Sequence, residues 1–360
     1  MKRRAVSGNE RFRGAEAHHE RRLMRVVRAK APECKLRTFR NVMPTHRFWP
    51  RPKCWTVAVA TITLAACQST ATPAVAPIGA QARTYQPAAL WTWQETVITN
   101  ASVEAEFFAF ARSHSVKRVY IECEGSIQRN QPALIAFLQK AASHRLTTEL
   151  LFGDDKWVLP GSRYPHQGYA VSLVSKYAAQ LLSKMTTGQP VAVHFDVEPY
   201  GLPQWKTHRN ALASDYVDLV SKLTRAAHAI GSKLSVDVPY WYSTIPVKRG
   251  SVTTPLNQLV IRAVDEYVIM DYWDTASRME SQATTDLTYA NGIARKAVVI
   301  GALTSCHQHP PQTSYCNSTT SSGTAYMEAQ LANVASVEAS NASFTGLAIE
   351  DYTGFRKLKP

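Results

Sequence analysis

Eight short apolar runs, rich in β-branched residues, recur along residues 86–360 and alternate with longer amphipathic stretches. The predicted strands are Leu90–Trp93, Lys117–Glu124, Thr148–Asp154, Val191–Pro199, Lys233–Trp241, Glu266–Trp273, Ala297–Thr304 and Phe344–Tyr352. Helices are predicted between them, for example at Val103–Ala111, Pro132–Ser143, Tyr169–Lys184, Ser214–Ile230 and Tyr326–Ala339. Eight such alternations in about 275 residues predict an α/β fold, the (β/α)8 or TIM barrel, which typically takes about 250 residues.

A doubly wound open sheet is the other fold that is built from this alternation. Such a sheet normally carries a Gly-rich turn after its first strand, and no such turn follows Trp93. The barrel is therefore favoured. Only residues 353–360 follow the eighth predicted strand, so the closing helix is expected to be missing or vestigial.

The fourth predicted strand, within Val191–Tyr200, has an unusual face. Because side chains alternate along a strand, His194, Asp196 and Glu198 share one face, while the other face is apolar. Burying a charge costs several kcal/mol unless the charge is paired. We therefore expect this face to belong to a functional site.

Acidic and aromatic side chains collect at the C-terminal ends of almost all the predicted strands, where barrels of this kind carry their sites. Aromatic rings pack against the C–H faces of sugars, and carboxylates bind sugar hydroxyls and supply general acid catalysis. We therefore predict an oligo- or polysaccharide partner and no cofactor. The predicted substrate-binding residues are Trp93, Glu122, His194, Asp237, Tyr240, Trp241, Asp271, Trp273 and Glu350.

Two partial motifs resemble those of the family 18 glycoside hydrolases, the chitinase-like barrels. That family ends its fourth strand in Asp-x-Asp-x-Glu, and residues 194–198 are His-Phe-Asp-Val-Glu, so His194 replaces the first Asp. Its sixth strand carries Met-x-Tyr-Asp, and residues 270–273 are Met-Asp-Tyr-Trp, so Trp273 replaces the Asp. The family's eighth strand usually ends in a Trp, and this one offers Glu350.

The resemblance implies a substrate-assisted mechanism. Glu198 would protonate the glycosidic oxygen, and Asp196 and Tyr272 would hold the substrate acetamido group that attacks the sugar. A conventional pair of carboxylates remains open as the alternative. Many glycosidase barrels place the nucleophile on the seventh strand, which has no acid here, so the partner of Glu198 would be Asp271 or Glu350.

Two other classes of function remain open. His194, Asp196 and Glu198 could share a metal ion, but the other histidines of the barrel domain fall in predicted helices or loops, and no metal is predicted. The second class is a non-catalytic carbohydrate-binding protein on a decayed barrel, which the replaced motif positions favour. A position of Glu198 beside a second carboxylate would indicate an enzyme, and a position in a salt bridge would indicate the binding protein.

The positive charge of the chain is concentrated at its N-terminus. The chain carries 41 Lys and Arg against 27 Asp and Glu, a formal net charge of +14. Residues 1–53 hold 16 basic and 4 acidic residues, which leaves 25 and 23 for the remainder. The folded body is therefore nearly neutral, so no nucleic-acid partner is predicted. We also expect a monomer.

Three segments are predicted before the barrel domain of residues 86–360. Residues 1–42 are Arg-rich without apolar periodicity, as in a miscalled upstream start or a disordered basic segment. Residues 43–66 have the layout of a signal peptide, and Leu64–Cys67 resembles the lipobox of bacterial lipoproteins. Residues 67–85 are rich in Ala, Pro, Ser and Thr and predict a flexible tether. We expect a protein lipid-anchored at Cys67 in the bacterial cell envelope, either periplasmic or on the cell surface.

The cysteines fit an exported protein. Cys306 and Cys316 flank the loop after the seventh predicted strand, and export makes a disulfide between them more plausible than a metal site. Cys123 lies in a predicted strand and is expected to be a buried thiol.

The signal layout predicts that the mature protein begins at a lipidated Cys67. Protein extracted from host membranes should have an intact mass that corresponds to a chain starting at Cys67 plus its acyl chains, because the apolar run and the lipobox direct export and cleavage. Cys67→Ser is the matched control and should remain unlipidated. Soluble full-length protein that still carries residues 1–42 in its native host would contradict the prediction.

Overall fold

The structure, a computed structural model, describes residues 89–185, 191–293, 296–306, 311–316 and 323–359. The predicted signal peptide, the tether and Cys67 lie outside the described residues. The barrel strands are β1 (Ala89–Thr92), β2 (Arg118–Glu122), β3 (Thr147–Phe152), β4 (Ala192–Phe195), β5 (Leu234–Pro239), β8 (Glu266–Met270), β9 (Ala297–Leu303) and β10 (Phe344–Glu350), and between β5 and β8 lie β6 (Pro246–Arg249) and β7 (Val252–Pro255). The eight barrel strands are all parallel and close in sequence order, with β10 paired to β1, while β6 and β7 form a separate antiparallel hairpin.

Helices surround the closed sheet. They are α1 (Thr96–Thr99), α2 (Ala101–Ser113), α3 (Glu124–Arg129), α4 (Gln131–Ser143), α5 (Gln167–Ser172), α6 (Ala179–Lys184), α7 (Trp205–Ala229), α8 (Leu256–Ala263), α9 (Ala276–Gly292), α10 (Thr324–Glu338) and α11 (Tyr352–Phe355). A π-helical segment, Leu173–Ala178, joins α5 to α6, and short 3₁₀ turns lie at Asp155–Val158, Pro199–Gly201, Tyr240–Thr244 and Pro311–Thr313. The predicted (β/α)8 barrel is confirmed, and its closing helix, α11, is a single turn.

Each predicted strand corresponds to one barrel strand, but every prediction runs past the observed C-terminal end. The largest difference is at β4, which ends at Phe195 rather than at Pro199. The composition stays apolar and aromatic at the barrel rim, whereas the backbone there leaves the ladder and turns toward the next helix. The apolar pattern also misses the hairpin of β6 and β7, because most of its residues are exposed or half-buried and carry no periodic apolar face.

Two cores result from closing the sheet. The larger core lies between the strands and the helices and includes Val193 and Phe195, the apolar face of β4. The smaller core fills the barrel and consists of Ala89, Trp91, Tyr120, Leu151, Val268, Val299 and Ala348. Both faces of a barrel strand are therefore buried, which explains why strands such as β5 and β8 have no exposed position.

The seventh barrel strand, β9, leaves space inside the barrel for a large ring. A Cβ atom added at Gly301 would lie 2.8 Å from the carbonyl oxygen of Ile269 and 3.0 Å from Cη2 of Trp91. The indole of Trp91, which is 1% exposed, therefore occupies the space that a side chain at position 301 would take. A large residue on β1 and a small residue on β9, two strands away, thus fill the interior together.

Gly301→Ala should destabilise the protein by about 1–3 kcal/mol, because the added methyl group overpacks the barrel against a backbone carbonyl and the indole. Urea unfolding measures this difference in the free energy of unfolding. Gly292→Ala is the matched control: apart from its chain neighbours and the backbone of its own helix, no atom of the described residues lies within 4 Å of a Cβ at this position at the end of α9, and this variant should be neutral or slightly more stable. Equal stability of the Gly301→Ala variant and wild type would contradict the packing argument.

Candidate active site

His194 lies inside the barrel and is 0% exposed. Its Nδ1 lies 3.0 Å from Oε2 of Glu149, its Nε2 lies 2.8 Å from Oδ1 of Asp237, and the ring of Tyr120 packs at 4.1 Å between centroids. Burial by itself would lower the pKa of His194, but the two carboxylates raise this pKa to about 10. The ring is therefore an imidazolium at neutral pH. Both of its nitrogens face carboxylates, and the ring is enclosed within the barrel.

The imidazolium is the centre of an ionic network, which we call the interior network. The other carboxylate oxygen of Glu149, Oε1, lies 3.3 Å from Nη1 of Arg118, and the same guanidinium pairs with Glu266. The network therefore consists of Arg118, Glu149, His194, Asp237 and Glu266, which come from five different strands. Each buried charge has a partner of opposite sign, as burial requires.

Three buried carboxyl groups end or follow β4 and β10 at the barrel mouth, and we call them the mouth carboxyls: Asp196, Glu198 and Glu350. They are 5%, 5% and 4% exposed. The hydroxyl of Tyr200 donates a hydrogen bond to Glu198. Burial raises the pKa of Glu350 well above its usual range, and nearby negative charges, those of Asp196, Asp237 and Glu198 among them, raise it further. Glu350 therefore gives up its proton less readily than an exposed glutamate does.

Aromatic rings line the mouth next to Glu198. The rings of Tyr200 and Trp241 pack edge to face with their centroids 5.0 Å apart. The centroid of the Trp241 ring lies 5.2 Å from that of Tyr242 and 6.4 Å from that of Trp205. Burial and the charge of Glu198 raise the pKa of Tyr200, so its phenol stays protonated and remains a donor to Glu198. Trp241 is half-buried and keeps part of its ring accessible.

Tyr272 belongs to the same part of the mouth. It packs with Met270 and Leu303 in a small apolar cluster, and Tyr200 packs against this cluster. The hydroxyl of Tyr272 is buried and has no hydrogen-bond partner within the described ranges. The structure thus brings Tyr272 and Glu198 to the same site through Tyr200.

The remaining predicted rim residues lie around this centre. The rings of Tyr240 and Trp273 are 6.1 Å apart, and the guanidinium of Arg278 lies 4.6 Å above Trp273. On the opposite side, Glu122 ends β2 and accepts a hydrogen bond from the backbone N–H of Glu124 at 3.0 Å. Trp93 follows β1 and packs on the apolar core inside the barrel.

His194 and Asp237, two of the residues predicted to bind substrate, lie in the interior network, and Asp271 is a predicted rim residue whose side chain lies away from the mouth. It is 0% exposed and sits between Met270 and Tyr272, which point into the mouth, so its own side chain is directed toward the helices. Burial raises the pKa of Asp271 well above its usual range, and the charge of Asp286 on α9 raises it further. Of the two candidate partners for Glu198, the structure therefore brings Glu350 and not Asp271 to the mouth.

Sequence reasoning missed several residues of the site. Tyr200 ends the stretch that carries Glu198, but its hydrogen bond to that carboxyl depends on the 3₁₀ turn of Pro199–Gly201. Glu149 could have been noticed as the one acid within the apolar run of β3. Its partnership with Arg118 and His194 needs the closed sheet.

The predicted disulfide is present. Cys306 and Cys316 are bonded, with their Cα atoms 5.0 Å apart, and Cys123 is a buried free thiol. Among the residues that the structure describes, no group of three or more His, Cys, Asp or Glu is arranged to hold a metal ion. No helix in the same part of the chain has the length and apolar character to cross a bilayer.

Neither a protein-family model nor a curated protein matches the chain. Its fold is similar to solved glycoside hydrolase barrels at low sequence identity. A monomeric beta-xylosidase from Caulobacter crescentus is 11% identical with a TM-score of 0.51, over 74% of this chain and only 60% of the xylosidase chain. A chitinase from Chromobacterium violaceum is 17% identical with a TM-score of 0.33, over 61% of this chain and 68% of that chain. A GH18 chitinase from Cycas revoluta, in complex with (GlcNAc)4, is 14% identical with a TM-score of 0.40, over 61% and 68%. At these identities the likeness establishes the fold alone.

Asp286 should make the stability of the protein depend on pH. Burial raises its pKa from 3.8 to about 7, although Asn257 donates a 2.6 Å hydrogen bond to it. A carboxyl group whose pKa is higher in the folded than in the unfolded state makes its full contribution to stability below pH 4, and this contribution is lost as the pH rises through 7. Asp286→Asn cannot ionise, and Asn257 can turn its amide to keep a hydrogen bond. The difference in the free energy of unfolding, variant minus wild type, should therefore be roughly 2–4 kcal/mol larger at pH 8 than at pH 4.5.

Urea unfolding at the two pH values measures this difference. Asp218→Asn, on the surface of α7 and paired with Arg249, makes the same carboxyl-to-amide change and should show much less pH dependence. An Asp286→Asn variant that differs from wild type equally at both pH values would contradict the prediction.

Proposed function

We propose that this protein is a glycoside hydrolase with Glu198 as its general acid, exported and lipid-anchored at Cys67. The observation that carries the proposal is the placement of Glu198 at the mouth of the barrel. Glu198 is 5% exposed, its carboxyl group accepts a hydrogen bond from Tyr200, and its charge is among those that raise the pKa of Glu350. Buried carboxyl groups that interact in this way do not all ionise at low cost, and in the proposed mechanism Glu198 carries a proton when the substrate is bound.

The reaction follows from these positions. Glu198 gives its proton to the glycosidic oxygen as the bond from that oxygen to the sugar C1 breaks. The acetamido oxygen of the substrate attacks C1, and Asp196 and Tyr272 hold the acetamido group. Water then opens the cyclic intermediate, and Glu198 takes back a proton. The Tyr272 hydroxyl, which has no protein partner within the described ranges, supports this assignment.

The raised pKa of Glu350 favours this mechanism over a pair of carboxylates. A nucleophile must be ionised, and burial and the neighbouring negative charges oppose the ionisation of Glu350. The two-carboxylate alternative would need Glu350 to ionise beside Asp196 and Glu198.

A polysaccharide or oligosaccharide is the proposed substrate. Tyr240, Trp241 and Trp273 are half-buried at the rim and offer ring faces to sugar C–H groups. A non-catalytic carbohydrate-binding protein is the second candidate, and the replacement of two family motif positions by His194 and Trp273 favours it. The two candidates differ in whether Glu198 matters to turnover.

Glu198→Gln should lower kcat by about 10²–10⁴-fold and leave glycan binding nearly unchanged, because it removes the transferable proton and keeps the side-chain shape. A panel of β-linked glycans assayed with wild type and variant measures the loss. Asp218→Asn, a carboxyl-to-amide change on the surface, should retain wild-type turnover. Equal turnover by wild type and Glu198→Gln would remove Glu198 from the mechanism.

The same panel separates the alternatives. Substrate assistance requires that an N-acetylated oligosaccharide is hydrolysed and its de-N-acetylated counterpart is not. Hydrolysis of both, together with loss of turnover in Glu350→Gln, would favour the two-carboxylate mechanism. Binding without turnover on every glycan would favour the carbohydrate-binding protein.

A further inference from the structure

Two adjoining hydrogen-bond donors at the rim have no protein acceptor. The indole N–H of Trp273 is buried and has no partner among the described residues. The guanidinium of Arg278 lies on the same indole, and it forms no ion pair and donates no hydrogen bond within the part of the chain that the structure describes. Because buried polar groups in folded proteins are nearly always hydrogen-bonded, the indole N–H points to an acceptor that the described chain does not supply.

Arg278 is exposed, but the ring beneath it restricts its position. Its guanidinium carbon lies 4.6 Å from the centroid of the Trp273 ring. Arg278 is the third residue of α9, which follows β8 through the loop that contains Trp273. In a barrel of this kind, such loops and the first turns of the helices after them form the face that carries the site. The cation is therefore part of the rim.

Ring contacts join this cation to the proposed general acid. The centroids of Trp273 and Tyr240 lie 6.1 Å apart, and Tyr240 is followed in sequence by Trp241. The ring of Trp241 lies 5.0 Å from that of Tyr200, whose hydroxyl donates a hydrogen bond to Glu198. A glycan that packs along these rings therefore reaches both Glu198 and the guanidinium.

A guanidinium in this position suits a carboxylate. Its N–H groups form a planar fork that binds both oxygens of a carboxylate through two parallel hydrogen bonds. Stacking on the indole occupies one face of the guanidinium and leaves the N–H edge for an acceptor. The mouth itself contains three carboxyl groups, so an anionic sugar would be repelled there unless a cation lies near its own charge.

We propose that Arg278, stacked on Trp273, binds a carboxylate of the glycan, so that this site takes an acidic oligo- or polysaccharide. That this glycan is a substrate rests on the proposed function, whereas its binding at the rim does not. Arg278 is a binding residue in this proposal and takes no part in the transfer of a proton.

The test compares two probes that differ only in charge. One is a hyaluronan hexasaccharide, in which carboxylated and N-acetylated sugars alternate, and the other is the same hexasaccharide with its carboxylates reduced to hydroxymethyl groups. Calorimetric titration of the full chain carrying Glu198→Gln measures both Kd values without turnover by the proposed mechanism. The Kd of the carboxylated probe should be about 10–100-fold lower, because only this probe forms charge-assisted hydrogen bonds with the guanidinium. Equal Kd values, or binding of neither probe, would overturn the proposal.

Substitutions at Arg278 locate the preference. Arg278→Gln should weaken the carboxylated probe to the level of the reduced probe, and Arg278→Lys, which keeps the charge without the planar fork, should fall between. Arg262→Gln is the matched control. The guanidinium of Arg262 lies 5.5 Å from the ring of Tyr289, near the C-terminal end of α8 and on the side of the barrel away from the mouth, so this variant should keep the full preference. A preference that survives Arg278→Gln, or that is lost equally in Arg262→Gln, would contradict the assignment.

Salt gives a readout with Arg278 in place. Raising the NaCl concentration from about 0.05 M to about 0.5 M should weaken binding of the carboxylated probe several-fold and leave the reduced probe nearly unchanged, because salt screens the interaction between exposed charges. The same salt dependence for both probes would show that the carboxylates meet no cation and would overturn the proposal.

Turnover separates this proposal from the proposed function. If the wild type hydrolyses the carboxylated probe, Arg278→Gln should raise KM and leave kcat nearly unchanged, because it removes an interaction made equally in the ground state and the transition state. A lowered kcat at unchanged KM would overturn the role of Arg278 in binding. The Kd measurements need no turnover, so an inactive wild type would count against the hydrolase and not against the carboxylate site.

Discussion

The imidazolium of His194, held between Glu149 and Asp237, is the interaction on which the interior of this barrel depends. Barrel interiors are usually filled with layers of branched apolar side chains. Here one layer is ionic, and its members come from five strands, so no single strand can form it alone. Because an unpaired charge in this place would be costly, the network requires that the strands close in one register.

The packing above the network follows from the same constraint. Trp91 donates to Asp237 and fills the space that Gly301 leaves open, so an indole and a missing side chain together complete the layer. At the mouth, the 3₁₀ turn after β4 brings Tyr200 to Glu198.

Two groups of buried acids near the rim differ in the side of the sheet that their carboxyl groups face. Inside the mouth, burial raises the pKa of Glu350 well above its usual range, and the charges of Asp196 and Glu198 raise it further. Outside the sheet, Asp271 and Asp286 are also buried and have raised pKa values, but they face the helix layer. Asp271 directly follows β8, and its neighbours Met270 and Tyr272 belong to the apolar cluster at the mouth.

The sequence by itself determined what is local. Apolar periodicity predicted all eight barrel strands, and alternation along β4 placed His194 opposite Val193 and Phe195, because a period of two is a property of the chain alone. The closed sheet decided the rest. Glu149 and Asp237 meet His194 from other strands, and Glu350 rather than Asp271 joins Glu198, because the register and the closure of the barrel determine which side chains share its interior. Strand ends likewise depended on tertiary structure, since apolar and aromatic residues continue past the point where the backbone leaves the sheet.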